Sequence, residues 1–209
     1  MALRVLIADD HELFRSGLKQ LLIDSLGAEE VREAETLDQA IELLTSGGAG
    51  DLVLVDLRMP GMSGAEDLAA LRDGFPDAKI AVVSAWEERA EIFAALSAGV
   101  HGYIPKSLPS QEIAAALKSV LEGRIFVPAA VGKRGLGVPV EGPASTNAGD
   151  KLTGRQKEVL NELLKGQSSK EIARSLGIAE GTVKIHLAAI YRARGVRTRA
   201  EAIVKLKPQ

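Results

Sequence analysis

Five short apolar runs, each followed by a longer amphipathic run, limit what the first 122 residues can fold into. The strand candidates are Arg4–Ala8, Glu30–Glu33, Leu52–Val55, Ile80–Val83 and Gly102–Ile104. The helix candidates are Glu12–Ser25, Leu37–Ser46, Ala65–Asp73, Glu87–Ala98 and Ser110–Glu122. Leu18, Leu21 and Leu22 recur at helical spacing, and Gly27 follows as a stop. Strand and helix in strict alternation predict an α/β domain: a doubly wound parallel sheet of five strands with helices on both faces. LVLV and IAVV are apolar throughout, as strands buried on both faces must be.

A different composition begins near residue 126. Residues 126–150 are rich in Gly, Pro and Ala, without helical or strand periodicity, and read as a flexible linker. The GKRGLG within them lacks the spacing of a dinucleotide fingerprint, and no Walker A pattern occurs in the sequence. Residues 151–209 have only helical periodicity. The division is therefore 1–125, 126–150 and 151–209. The net charge of -2 conceals its distribution. The last segment has thirteen Lys and Arg against five Asp and Glu, whereas residues 1–150 have thirteen against twenty-three. A basic module for a polyanion joined to an acidic module with another task fits this asymmetry. The absence of cysteine excludes disulfides and thiolate chemistry. With no apolar run approaching the roughly 20 residues of a membrane span and no signal-peptide pattern, the expectation is a soluble, cytoplasmic protein without membrane contact.

In an open α/β sheet, ligands bind beyond the carboxyl ends of the strands, near the point where strand order reverses. Those ends bring Asp9 and Asp10, Asp56, Ser84 and Lys106 toward one edge. Singly, each has a structural explanation; Asp10, for example, suits a helix cap. Clustered carboxylates repel, and a divalent cation relieves the repulsion. Oxygen ligands suit Mg²⁺ with a phosphate. A lysine and a hydroxyl beside it suit phosphoryl transfer, which needs positioning and charge stabilisation, with one carboxylate as nucleophile. His11 is read as the start of a helix, which leaves no general base beside the set.

With these positions, residues 1–122 resemble a flavodoxin-like response-regulator receiver domain, and DLRMPGMSG (Asp56–Gly64) is close to the family wording. The resemblance implies that Asp56 is the phosphoacceptor, that Ser84 and Lys106 contact the phosphoryl group, and that Tyr103 is the switch aromatic that turns inward. It also implies Mg²⁺ held by Asp9, Asp10, Asp56 and the main-chain carbonyl of Arg58. Pro105 precedes Lys106 rather than following it, so the family's Lys-Pro bond has no counterpart here. Trp86, two residues beyond Ser84, is expected to shield the acyl phosphate and alter its lifetime.

In the basic segment, Thr153–Gln156 and Ser168–Glu171 read as capping boxes. Ser168–Leu176, the turn 177–179 and a helix from about Glu180 have helix-turn-helix spacing. Val183, Leu187 and Ile190 fall on the inward stripe, and Lys184, Ile185 and Ala188 project outward, as a helix reading the major groove requires. The sequence from Leu152 to Val196 resembles the LuxR/NarL-type DNA-binding domain. That resemblance makes Lys184, Ile185 and Ala188 candidates for base contact and Ser169, Lys170, Thr182 and His186 candidates for phosphate contact or docking. It implies dimerisation on DNA through the last helix, about Thr198–Leu206. Three residues depart from the pattern. Ala179 stands where a capping serine is usual, Ala188 offers only a methyl group, and Arg194 occupies a usually apolar inward position whose stem must snorkel unless the helix end repacks.

Together the two parts resemble a NarL/FixJ-type two-component response regulator. The reading is a transcriptional regulator, not an enzyme. A sensor histidine kinase phosphorylates Asp56, and phosphorylation promotes homodimerisation and binding to double-stranded promoter DNA. Family members often cover the recognition helix with the receiver until phosphorylated. The alternatives are a phosphorylation-independent regulator, a protein-interaction adaptor with a weakened recognition helix, and a phosphate-ester hydrolase using Asp56. The hydrolase lacks a second aspartate at position 58, which is Arg58.

Overall fold

The computed structural model describes residues 2–47, 50–129, 131, 138–141 and 152–206. The first part alternates β1 (Leu3–Ala8), α1 (Glu12–Leu26), β2 (Ala28–Ala34), α2 (Leu37–Gly47), β3 (Leu52–Val55), α3 (Ala65–Gly74), β4 (Lys79–Ser84), α4 (Arg89–Ser97), β5 (Gly102–Pro105) and α5 (Ser110–Leu121). Two strands follow, β6 (Arg124–Val127) and β7 (Val138–Glu141), and then α6 (Gly154–Leu164), α7 (Ser169–Leu176), α8 (Glu180–Arg194) and α9 (Arg199–Leu206).

The sheet order is β2-β1-β3-β4-β5-β6-β7. The β1–β6 pairings are parallel, and β7 is antiparallel to β6. Among the described residues the sheet thus has six parallel strands and one antiparallel strand where five parallel ones were expected. The sixth forms because Gly102 lets the chain come close: a Cβ there would lie 3.2 Å from Phe126 Cβ and 3.0 Å from Val120 Cγ2. The apolar RIFV was the available signal, but its second half fell inside the segment read as linker, and β7 lies wholly within that segment. The GKRGLG segment at 132–137 lies outside the described residues.

Alternation along the buried strands sends side chains to two cores. Leu6, Ala8, Val53, Val55, Ile80, Val82 and Tyr103 pack under α2, α3 and α4. Val5, Ile7, Leu52, Leu54, Ala81, Val83 and Ile104 pack against α1 and α5. A third core joins Val159 and Leu163 of α6, Ile172 of α7, Val183, Leu187 and Ile190 of α8 and Ala202 of α9. Ile185 and Ala188 of α8 belong instead to the first core, so the helical part is seated on α2 and α3 of the sheet domain. No helix of the described residues is long and apolar enough to cross a membrane.

Candidate phosphoacceptor site and nucleic-acid interface

Strand order reverses between β1 and β3, and their register pairs Ala8 with Val55. That register carries Asp9 and Asp56 out of the sheet side by side, and Asp56 N–H donates to the Ala8 carbonyl at 2.8 Å. Both carboxylates are almost fully buried, with Asp9 at 2% and Asp56 at 3% exposure. Lys106, just past β5, places Nζ 2.7 Å from Asp9 Oδ2 and 2.7 Å from Asp56 Oδ2. One ammonium between two buried carboxylates offsets much of their desolvation. The Arg58 main-chain N–H donates to Asp56 Oδ1 at 3.2 Å, which folds the β3–α3 loop back over the strand end. Asp10 remains partly exposed at the mouth.

Ser84 is buried at the end of β4, and its Oγ accepts the Trp86 N–H at 3.2 Å. Tyr103 is fully buried on β5, and its hydroxyl donates to the Trp86 carbonyl at 2.6 Å. Burial raises the pKa of that phenol above its ordinary value, so it remains a donor. Trp86 itself is half exposed, with the Arg58 guanidinium 4.9 Å above its ring. Arg58 also pairs with Glu91 of α4. The loop after Asp56, the Trp86 loop and Tyr103 therefore form one contact chain.

The expectation that no histidine stands beside the carboxylates is corrected. His11 is the residue preceding α1, with extended backbone and no side-chain capping bond. Its ring turns back, placing Nδ1 3.0 Å from Asp10 Oδ1, 3.2 Å from Asp9 Oδ1 and 3.7 Å from Asp56 Oδ2. Asp9, Asp10, His11 and Asp56 each offer one ligand atom, all within 4.8 Å of one another. Position immediately after the acidic pair was the sequence signal; the local rule for helix starts took precedence over it.

In the helical part both capping boxes are present, at Thr153 with Gln156 and at Ser168 with Glu171. Ala179 is the N-cap of α8 and supplies no side-chain bond. Val183, Leu187 and Ile190 point inward, and Lys184, Ile185 and Ala188 leave by the other side. That outward side is covered rather than free: Ile185 is 0% and Ala188 6% exposed. Thr182 is buried and donates its hydroxyl to Asp67 Oδ1 of α3, while Lys184 Nζ lies 2.7 Å from Asp38 Oδ2 of α2. Gly181 meets the β3–α3 loop so closely that a Cβ would sit 2.7 Å from the Gly61 carbonyl oxygen. Arg192 stacks 5.0 Å over Phe75.

One residue departs from expectation. His186 is buried at 4% exposure, and its Nδ1 has no hydrogen-bond partner, so it does not stand at the surface where a phosphate would lie. Burial, aided by Arg155, lowers its pKa to about 4 and keeps the ring neutral. One turn along from Val183, it shares that residue's flank rather than the outward one. At Arg194 the second alternative holds and the helix end repacks: α8 ends there with Arg194 exposed, Gly195 takes the left-handed conformation, and Val196 beyond it is buried. Ser169 is half-buried and Lys170 exposed at the start of α7, away from the covered face.

The sequence matches the family described as response regulator receiver domain over residues 5–118, and bacterial regulatory proteins of the luxR family over residues 150–206. The chain is a two-component response regulator with a LuxR-type DNA-binding domain. This response regulator is 36% identical over 214 residues to the glycerol metabolism activator of Pseudomonas putida, covering 96% of this chain and 93% of that one. It is 36% identical over 205 residues to the nitrate/nitrite response regulator protein NarP of Escherichia coli, with 96% and 93% coverage. In fold it is similar to the RcsB response regulator of Salmonella typhimurium, at 24% identity, 98% coverage of both chains and a TM-score of 0.58. The response regulator's receiver and its DNA-binding domain thus account for the two charge classes seen in the sequence.

Proposed function

We propose that Asp56 accepts a phosphoryl group from a sensor histidine kinase and that this releases α8 from the receiver to bind double-stranded promoter DNA. The convergence of Asp9 and Asp56 on Lys106, at 2.7 Å each, carries the reading. One Asp56 carboxylate oxygen forms a bond to phosphorus as the donor's bond to phosphorus breaks, and Lys106 and Ser84 Oγ receive the displaced negative charge. A donor reaches the buried carboxylate past Asp10 and His11, which are exposed above it. The donor set of clustered carboxylates beside a backbone loop fits Mg²⁺, with Asp9, Asp10, Asp56 and the Arg58 carbonyl as its ligands. When bound, Mg²⁺ neutralises charge on the transferring phosphoryl oxygens.

The division is receiver 1–125, a connecting segment 126–150 that lends the second half of β6 and all of β7 to the receiver's sheet edge, and DNA-binding domain 151–209. The covering of Ile185 and Ala188 supports reading this arrangement as the resting one. Ser84 engaging the phosphoryl group gives up its bond to the Trp86 loop, and Tyr103 and Arg58 transmit the change toward α3 and α4. Released, α8 presents Lys184, Ile185 and Ala188 to base edges, with Ser169, Lys170 and Thr182 near phosphates and α9 forming the homodimer contact. The protein works in the cytoplasm as a regulator and not as an enzyme. Trp86→Ala is expected to change the decay rate of the acyl phosphate. Intact-mass measurement after incubation with acetyl phosphate and Mg²⁺ tests the acceptor. One phosphoryl group is expected on the wild type and none on Asp56→Asn; equal labelling of both would refute it.

A further inference from the structure

We propose that His11 Nδ1 is itself a ligand of the cation held at the acidic cluster, so that the site prefers Mn²⁺ and later first-row divalent ions to Mg²⁺. The inference rests on the reading above that Asp9, Asp10 and Asp56 hold a divalent cation. An imidazole in the N-cap position ordinarily faces solvent or caps the helix, but His11 makes no side-chain cap bond. Its ring is directed at three carboxylates, and its main-chain N–H is fixed to Asp9 Oδ1 at 2.9 Å, which holds the residue in that pose.

The spacing is close to that of ligands sharing one ion, slightly wider at its extreme. The same contacts are hydrogen bonds while Nδ1 carries the ring proton, and the ion takes that proton's place. In an octahedral site with metal–ligand bonds of about 2.1 Å, adjacent ligand atoms lie about 3 Å apart and opposite ones about 4 Å apart. His11 Nδ1 lies 3.0 and 3.2 Å from oxygens of Asp10 and Asp9, and the four candidate ligand atoms fall within 4.8 Å of one another. Lys106 occupies the second Asp9 oxygen, which leaves Asp9 Oδ1 and Asp10 Oδ1 on the His11 side, while Asp56 Oδ2 lies between Lys106 and His11. The ring is 64% exposed, so Nε2 can carry the ring proton in water while Nδ1 offers its lone pair to the ion.

Chemistry then sets the preference. Mg²⁺ takes oxygen and retains its waters, whereas imidazole binds increasingly well along the series from Mn²⁺ to Cu²⁺. A nitrogen beside three carboxylates therefore discriminates between ions that a purely acidic cluster would treat more evenly.

Pulsed electron paramagnetic resonance of Mn²⁺ bound to the full chain tests this directly, combined with counting free Mn²⁺ from its continuous-wave signal during Mg²⁺ competition. The chain has three histidines, and the other two are engaged elsewhere: His101 accepts the Ile80 N–H, and His186 is buried in α8. A ¹⁵N-histidine coupling on the bound Mn²⁺ therefore belongs to His11. The expected result is that coupling in the wild type, its loss in His11→Gln, and a fall of about tenfold in Mn²⁺ affinity with Mg²⁺ affinity little changed. Mn²⁺ bound equally by both proteins, without nitrogen coupling, would overturn the role of His11 and leave the cation site standing. Binding of neither ion would overturn the cation site and the proposal with it.

Discussion

Lys106 is the residue on which the electrostatics of the receiver turn. Its side chain is 10% exposed, and it stands between two carboxylates that are more deeply buried. Removing it leaves Asp9 and Asp56 with uncompensated charge, so Lys106→Met is expected to destabilise the receiver by about 3 kcal/mol at neutral pH, read by urea unfolding. Added Mg²⁺ should restore part of that loss by replacing the missing positive charge. His186 gives a second expectation at this scale. Its folded pKa of about 4 lies below the ordinary value of 6.5, so between those values the unfolded chain binds the extra proton. Its contribution is complete above pH 6.5 and is lost as pH falls toward 4, by about 3 kcal/mol. The thermal midpoint should fall over that window, and fall less in a His186→Leu variant that keeps its fold. The acidic residues of the site were legible because they end predicted strands, where position follows from topology. His11 was not, because a ring's direction depends on its rotamer and on neighbours from β3. His186 was misplaced because two flanks of a helix differ by one residue, and packing against α6 decides between them.

At the scale of elements, α8 is the proposed recognition helix, and its two faces belong to different cores. The inward stripe at Val183, Leu187 and Ile190 was legible from spacing of three and four residues. What covers the opposite face was not, since α2 and α3 lie more than a hundred residues earlier and no local pattern announces such a contact. Close approach at Gly181 makes the contact sensitive: Gly181→Ala forces a methyl group into the Gly61 carbonyl and Leu37. That variant should loosen the domain contact and raise DNA affinity without phosphodonor, measured by fluorescence anisotropy on a promoter fragment, while each domain keeps its helical content. Unchanged affinity would show that the contact does not limit binding. Ala179→Ser should stabilise the DNA-binding domain by about 1 kcal/mol in thermal unfolding by supplying the missing cap. The sixth and seventh strands show the limit of pattern reading in another way. RIFV was too short to outweigh the Gly- and Pro-rich sequence around it, and only the space left by Gly102 admits it to the sheet.

For the whole molecule, charge asymmetry and domain contact are parts of one device. The acidic receiver holds the basic DNA-binding domain through Asp38 with Lys184 and Asp67 with Thr182, using side chains proposed above to meet a duplex. The exposed pair is worth at most about 1 kcal/mol, so shape and the buried Ile185 and Ala188 supply most of the contact. On the proposed reading receiver and DNA compete for one helix, and linkage then requires that DNA favour the phosphorylated receiver by the factor with which phosphorylation favours DNA. The most direct test is DNA affinity of the full chain at fixed salt, with and without acetyl phosphate and Mg²⁺, alongside Asp56→Asn. The account predicts at least about a tenfold gain for the wild type, in the range typical of coupled sites, and none for the variant. An equal response from both proteins, or none from either, would contradict it.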